Sequence, residues 1–128
     1  LSRCSNRDVL LLQVKIRMSL KVNIKILAAD HLTLGEWWHG TDISSPFTRI
    51  YMVTEGIGYL HYRDTDIRMT QGNIYIIPSG LRFSYRCEVG FSKTFFHISV
   101  PLATGIDIFE AVNVGLITTE GTSLLIFV

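Results

Sequence analysis

Three stretches place reactive or sticky side chains two residues apart. They are Arg49 and Tyr51 in "TRIYMVT", Phe83, Tyr85 and Cys87 in "LRFSYRC", and Lys93, Phe95 and His97 in "FSKTFFHISV". A spacing of two puts residues on one face of a strand. Such faces can do the chemistry of binding. Aromatic rings stack on the C–H faces of a sugar or on a planar ring, while an arginine and a phenol hydroxyl fix hydroxyl or carboxylate groups. Trp37 and Trp38 come just ahead; adjacent strand residues point opposite ways, so one of them is structural. Each residue also has a plainer role. Rings in small barrels fill them, buried tyrosines satisfy their hydroxyls locally, and a lone histidine or arginine often serves as a structural hydrogen-bond or ion-pair partner.

Other chemistries find no support. The chain has no GxSxG, no Cys–His signature and no phosphate loop, and "EGIGYL" lacks a third glycine in register and a helix after it. His31, His39 and His61 lack metal-ligand spacing. Asp64 and Asp66 fall in the turn cluster "RDTD" and are read as solvated, not as a catalytic pair. The two cysteines, Cys4 and Cys87, are far apart and form no CxxC. That usage fits a reducing, cytoplasmic compartment, with Cys87 as a small buried hydrophobe.

The elements that must position these residues are short and β-rich. Val22–Leu27, Leu32–Trp38, Thr48–Thr54, Gly58–Tyr62, Ile67–Met69, Ile74–Ile77, Leu81–Cys87 and Thr94–Val100 are rich in β-branched and aromatic residues, and Gly, Pro, Asn and Asp punctuate them. Evenly spaced short strands without a helical pattern predict an all-β sandwich or barrel of the jelly-roll kind. After Pro101 the pattern changes, and a short helix is expected around Ile106–Val112. At 128 residues the chain is one domain. Its twelve Lys plus Arg against eleven Asp plus Glu give a net charge of +1, without the basic excess of a nucleic-acid surface. The longest apolar runs fall short of the roughly 18 residues a membrane span needs. Met18 opens "MSLKVNIKILAADH" like a start, so residues 1–17 are read as upstream or expression-derived sequence, and "EGTSLLIFV" is suspected of the same.

"YMVTEGIGYLHYRDTDIRMTQGNIYIIPSGLRFSY" resembles the cupin pattern of strand, Gly-x-Gly, strand, turn, Pro-x-Gly and strand, with Gly56, Gly58, Gly72 and Gly80 at the corners. More narrowly, "TRIYMVTEGIGYL", "GNIYIIPSG", "SYRC" and "FSKTFFHISV" resemble the N-terminal effector-binding domain of AraC-type transcription regulators. The resemblance spans Trp37 to Val100. It implies a cupin-like jelly roll, or double-stranded β-barrel, over residues 18–105. A short helical or irregular tail follows over 106–128.

Metal-dependent cupins carry two histidines, a glutamate and a further histidine. The resemblance places these positions at Ile43, Ser45, Arg49 and Phe83, none of them a replacement ligand. No metal and no other cofactor is therefore expected. With Arg49 and Phe83 facing inward, alternation brings Tyr51, Val53, Tyr85 and Cys87 inward too. The resemblance favours Tyr85 as a ligand contact and gives weaker support to Lys93, Phe95 and His97, while Trp37 or Trp38 could close over the ligand. The candidate site is Trp37, Arg49, Tyr51, Phe83, Tyr85, Lys93, Phe95 and His97. The implied role is sensing, not catalysis: a small-molecule effector, most readily a sugar, binds a homodimeric domain. DNA would be read only by helix-turn-helix units C-terminal to this chain. Two rivals stand beside it. One is a metal-independent cupin enzyme, such as a sugar-nucleotide epimerase or isomerase, pairing His97 with Tyr51 or Tyr85. The other is a plain dimerisation module with a filled barrel and an apolar outer face.

Overall fold

A computed structural model describes residues 23–120 and 123–126 of the chain. The reading of residues 1–17 falls outside that range. Alternation builds the strands. In β3 (Thr48–Glu55) Tyr51 and Val53 are buried while Met52 and Thr54 are exposed. In β4 (Gly58–Tyr62) Leu60 and Tyr62 turn in and His61 turns out, and in β5 (Thr65–Met69) Ile67 and Met69 turn in and Arg68 turns out. The same period of two runs through β6 (Ile74–Ile77), where Tyr75 and Ile77 are buried. Each such side chain contributes about 1.5–3 kcal/mol by leaving water.

The remaining strands are β1 (Lys25–Leu34), β2 (Gly40–Ile43), β7 (Phe83–Cys87), β8 (Phe91–Ser99), β9 (Ile117–Glu120) and β10 (Ser123–Ile126), with one short helix, α1 (Ile108–Ala111), between β8 and β9. One sheet runs β1-β8-β3-β6-β9-β10 and the other β2-β7-β4-β5. Their ladders are antiparallel. The first eight strands thus split between two sheets in the interleaved order of a jelly roll. Inward residues of both sheets join one core, among them Leu34, Tyr51, Tyr75 and Leu116 from the first side and Leu60, Met69, Phe83 and Cys87 from the second. The all-β, cupin-like jelly roll expected from the chain is what forms.

Three elements differ from expectation. Val22–Leu27 and Leu32–Trp38 are not two strands: one strand, β1, runs from Lys25 to Leu34 with a bulge between Ile26 and Ala28. The polar pair Asp30–His31 looked like a break, but it sits on an edge strand whose residues there face solvent. β2 was unread because "GTDI" has no apolar alternation; it too is an edge strand, held by β7 alone. The segment 106–128, expected as a helical or irregular tail, carries α1 and then a hairpin whose strand β9 pairs with β6. "ITTE" gains its partner from the distant strand β6, which no local pattern announces.

The turns carry their reasons in the chain. Gly80 closes the Pro78–Ser79–Gly80 turn at φ +81°, where a side chain would be strained. A Cβ on Gly58 would stand 2.7 Å from the Phe91 ring and 2.8 Å from the Met69 methyl, so the core there admits only glycine.

Candidate ligand-binding site

β3 and β8 lie side by side and build the floor of the site from paired residues. Arg49 faces His97, Tyr51 faces Phe95, and Val53 faces Lys93. Because alternation sends these residues to one side of the sheet, a guanidinium, a phenol, an imidazole, an amine and a phenyl ring share one surface. Leu32 joins from β1, where it pairs with Lys93. Trp38, after the turn that follows β1, folds over the top. It is fixed there by edge contact with Tyr51 at 6.1 Å, by Tyr85 at 4.4 Å and by Phe91 at 5.7 Å between ring centroids. These residues form an open cavity of about 120 Å³ lined by Leu32, Trp38, Arg49, Tyr51, Lys93, Phe95 and His97.

Five of the eight candidates therefore line one cavity: Arg49, Tyr51, Lys93, Phe95 and His97. Phe83 and Tyr85 stand next to it. Phe83 is core, with its ring 5.5 Å from the Arg49 guanidinium carbon, and Tyr85 packs against Trp38 from the opposite sheet. A Cβ on Gly40 would meet the Tyr85 ring at 2.5 Å, so the glycine makes room for that phenol. Trp37 is corrected: it is 71% exposed, and Trp38 is the tryptophan that faces the cavity. The chain shows that one of the pair is structural but not which, because the turn between Gly35 and Trp38 sets the phase. Leu32 and Phe47 were missed. Phe47 stacks on His97 at 4.4 Å, and its position one residue before β3 gives no strand phase to read.

The positions that the resemblance equated with metal ligands do come together. Ile43 pairs with Phe83, Arg49 Nη2 donates to Ser45 Oγ at 2.6 Å, and the Arg49 guanidinium lies over Phe83. An isoleucine, a phenyl ring and a guanidinium have no lone pair for a cation, and the fixed positive charge opposes one. Among the described residues, no three His, Cys, Asp or Glu side chains gather in a way that could hold a metal. The donor set does not fit a cupin metal, and no step is derived through one.

The electrostatics of the cavity are lopsided. Arg49 donates through Nη1 to the Tyr51 hydroxyl at 3.3 Å, while its Nε is buried without a partner. Lys93 is only 4% exposed, with Nζ 3.3 Å from the Tyr51 ring centroid, 4.3 Å from Trp38 and 5.6 Å from Phe95. Neither of the ion pairs among the described residues involves Arg49 or Lys93. The aromatic faces favour the ammonium, by about 0.5–2 kcal/mol each. Burial, and then the nearby Arg49 charge, work the other way and prevail, pulling the Lys93 amine down to about 6. The same two causes, with Lys93 added, lower His97, and burial raises the Tyr51 phenol. Cys87 donates its Sγ–H to the Gly35 carbonyl at 3.3 Å, and burial raises its thiol. His31, His39 and His61 are exposed. Of these, His61 pairs with Asp66 at 2.9 Å across the β4–β5 hairpin.

A second hollow, of about 520 Å³, lies at the β4–β5 turn, the Pro78–Gly80 turn and α1, with Arg63, Arg82, Glu110 and Asn113 among its walls. Its acid is engaged already, since Ser79 Oγ donates to Glu110 at 2.9 Å. It is a groove of mixed charge between loops, whereas the β3–β8 cavity gathers basic groups among rings, with no ion pair to Arg49 or Lys93 among the described residues.

No protein-family model matches the chain, and no curated protein matches it. Solved structures similar to it include a cupin-2 domain protein from Shewanella frigidimarina (15% identity, 58% of this chain and 78% of that one, TM-score 0.48). Another is a putative ethanolamine utilization protein Q from Salmonella typhimurium (14% identity, 59% and 68%, TM-score 0.48). A third is a salicylate 1,2-dioxygenase from Pseudaminobacter salicylatoxidans (14% identity, 86% and 35%, TM-score 0.44). The fold rests on the strand order given above, and none of those proteins' chemistry is carried over to this chain. No helix among the described residues is long and apolar enough to cross a membrane.

Proposed function

We propose that this chain is a ligand-sensing domain whose cavity takes a small organic acid without the help of a metal. One observation carries the proposal: Arg49 and Lys93 face a single aromatic-walled cavity, and no carboxylate of the described residues is paired with either. Arg49 is half-buried and bonded only to neutral groups, so an incoming anion supplies the counter-charge it lacks, and Lys93 can donate to the same ligand. Size separates an acid from the sugar first expected. The cavity, about 120 Å³, is smaller than the ~150 Å³ apolar cavity that accommodates benzene. A hexose has twice the heavy atoms of benzene and would stand largely outside it; a short carboxylate of about three carbons is the better match.

The resemblance of Trp37–Val100 to AraC-type effector-binding domains supports placing this sensing role in a dimeric transcription regulator. There the ligand acts by its differential affinity for two arrangements of the protein. The sequence encoded beyond Val128 tests that part: two helix-turn-helix patterns support it, and an unrelated domain removes it. The epimerase-like reading has less behind it. His97 and Tyr51 stand on neighbouring strands of one sheet, and Tyr85 is not among the residues lining the cavity.

The ligand class is tested by thermal melting with propionate, pyruvate and a panel of hexoses. Binding at a hundredfold excess over Kd adds about 2.7 kcal/mol. The carboxylates are expected to raise the melting temperature by several degrees, and Arg49→Met to abolish the rise. Stabilisation by hexoses alone would return the site to sugars. A flat response to a broad metabolite panel would remove the sensing role.

A further inference from the structure

Lys93 occupies an unusual place for a lysine. It is only 4% exposed, and it lines the floor of an open cavity. From β3 it meets Tyr51 and the Arg49 charge, from the segment before β2 Trp38, from β1 Leu32, from β7 the Cys87 thiol, and along its own strand Phe95 and His97. No acid is among them. A lysine kept only to pack would be served better by methionine or leucine, because the burial of a free amine carries a cost and no ion pair offsets it.

Tyr51 links the two cations. Lys93 Nζ lies over its ring at 3.3 Å from the centroid, and Arg49 donates to its hydroxyl. The amine and the guanidinium are thus held about one phenol length apart, facing the same small space. A short ligand whose carboxylate pairs with Arg49 would extend over the Tyr51 ring, on which the amine sits. We infer that Lys93 is a nucleophilic amine that forms an imine with the carbonyl carbon of a small 2-oxo acid seated by Arg49; this rests on the organic-acid reading above.

The step balances without an oxidant. The nitrogen lone pair attacks the carbonyl carbon, a C–N bond forms and the C=O π bond breaks. One proton passes from nitrogen to the new hydroxyl oxygen. The nitrogen loses its second proton as that hydroxyl leaves as water, and a C=N bond remains. What the site must supply is a neutral amine at working pH. Desolvation and a neighbouring cation supply it, as in other lysines that attack carbonyls. The lowering of Lys93 to about 6 leaves the amine largely unprotonated at neutrality.

The test is reductive trapping on the whole chain. The protein is incubated with pyruvate and cyanoborohydride at neutral pH, and its peptides are mapped by mass spectrometry. Lys93 is expected to carry the reduced pyruvyl group at least roughly tenfold ahead of exposed Lys25, since an ordinary lysine is almost fully protonated there. Propionate, which has the carboxylate and no carbonyl to react, is expected to suppress the labelling. Lys93→Met is expected to remove it while the variant still melts cooperatively. If Lys93 stays unlabelled while propionate still raises the melting temperature, the imine is wrong and the organic-acid reading stands. If acetaldehyde labels Lys93 as readily as pyruvate and propionate does not compete, the oxo-acid assignment falls through its carboxylate seat.

Discussion

Lys93 and Trp38 do different work in the same cavity. The amine is tolerated at a cost, whereas the indole closes the barrel end by contacts with Tyr51, Tyr85 and Phe91. Trp38→Ala is expected to lose roughly 3 kcal/mol, the range for deleting a large packed ring. Trp37→Ala, at a position 71% exposed, is expected to stay within about 0.5 kcal/mol. Urea titration of the two variants separates them, and equal losses would mean that Trp37 has a packed partner. Alternation in β3 showed that Arg49, Tyr51 and Val53 share a face, and spacing in β8 grouped Lys93 with Phe95 and His97, but the resemblance was needed to say that these faces turn inward. The tryptophans were not legible, since a turn and not a strand decides which of them faces in.

The chain leaves the barrel at Val100 and must come back to add β9. Asp107 organises that return. Its carboxylate accepts from the backbone N–H of Phe109 at the start of α1 and from that of Val100, both at 2.9 Å, and it is buried. It caps the helix and ties it to the end of β8 in one group. Asp107→Ala is expected to cost about 2 kcal/mol, a lost cap together with an unpaired buried N–H. A urea midpoint that does not move would show that β9 docks without the cap. The helix near Ile106–Val112 was readable from its acid and apolar spacing. The strands after it were not, because Ile74 N–H donates to Thr119 Oγ1 across 45 positions of sequence.

For the molecule as a whole, the cations in the cavity set a pH dependence. Between the folded Lys93 value of about 6 and the ordinary 10.5, the unfolded chain holds a proton that the folded chain does not. Stability therefore rises with pH through that window and levels off above it. His97, lowered from 6.5, acts in the same sense but below neutrality. Tyr51, raised from 10.0, keeps its proton in the folded state and adds stability that is lost only in strong alkali. The rise between about pH 7 and 9 thus comes from Lys93, opposed toward pH 9 by the raised Cys87 thiol, whose protonated form the fold favours. Melting curves are expected to climb over that interval, and Lys93→Met to flatten the climb and stabilise the protein at neutrality by a few kcal/mol. A slope unchanged in the variant would mean that the amine stays charged in its cavity.

The all-β architecture and the shared faces of β3 and β8 could be read from order and alternation, because a strand's period is a local property; the inward phase, and Ile43, Ser45, Arg49 and Phe83 as the metal-ligand positions, came from the resemblance to cupins. The size of the cavity, the choice of Trp38 over Trp37 and the lack of an ion pair to Lys93 among the described residues could not be read. Those depend on how far two sheets stand apart and on which residues, distant in the chain, complete the wall. Burial is a property of the assembled surface, and here burial is the main cause that lowers the Lys93 amine.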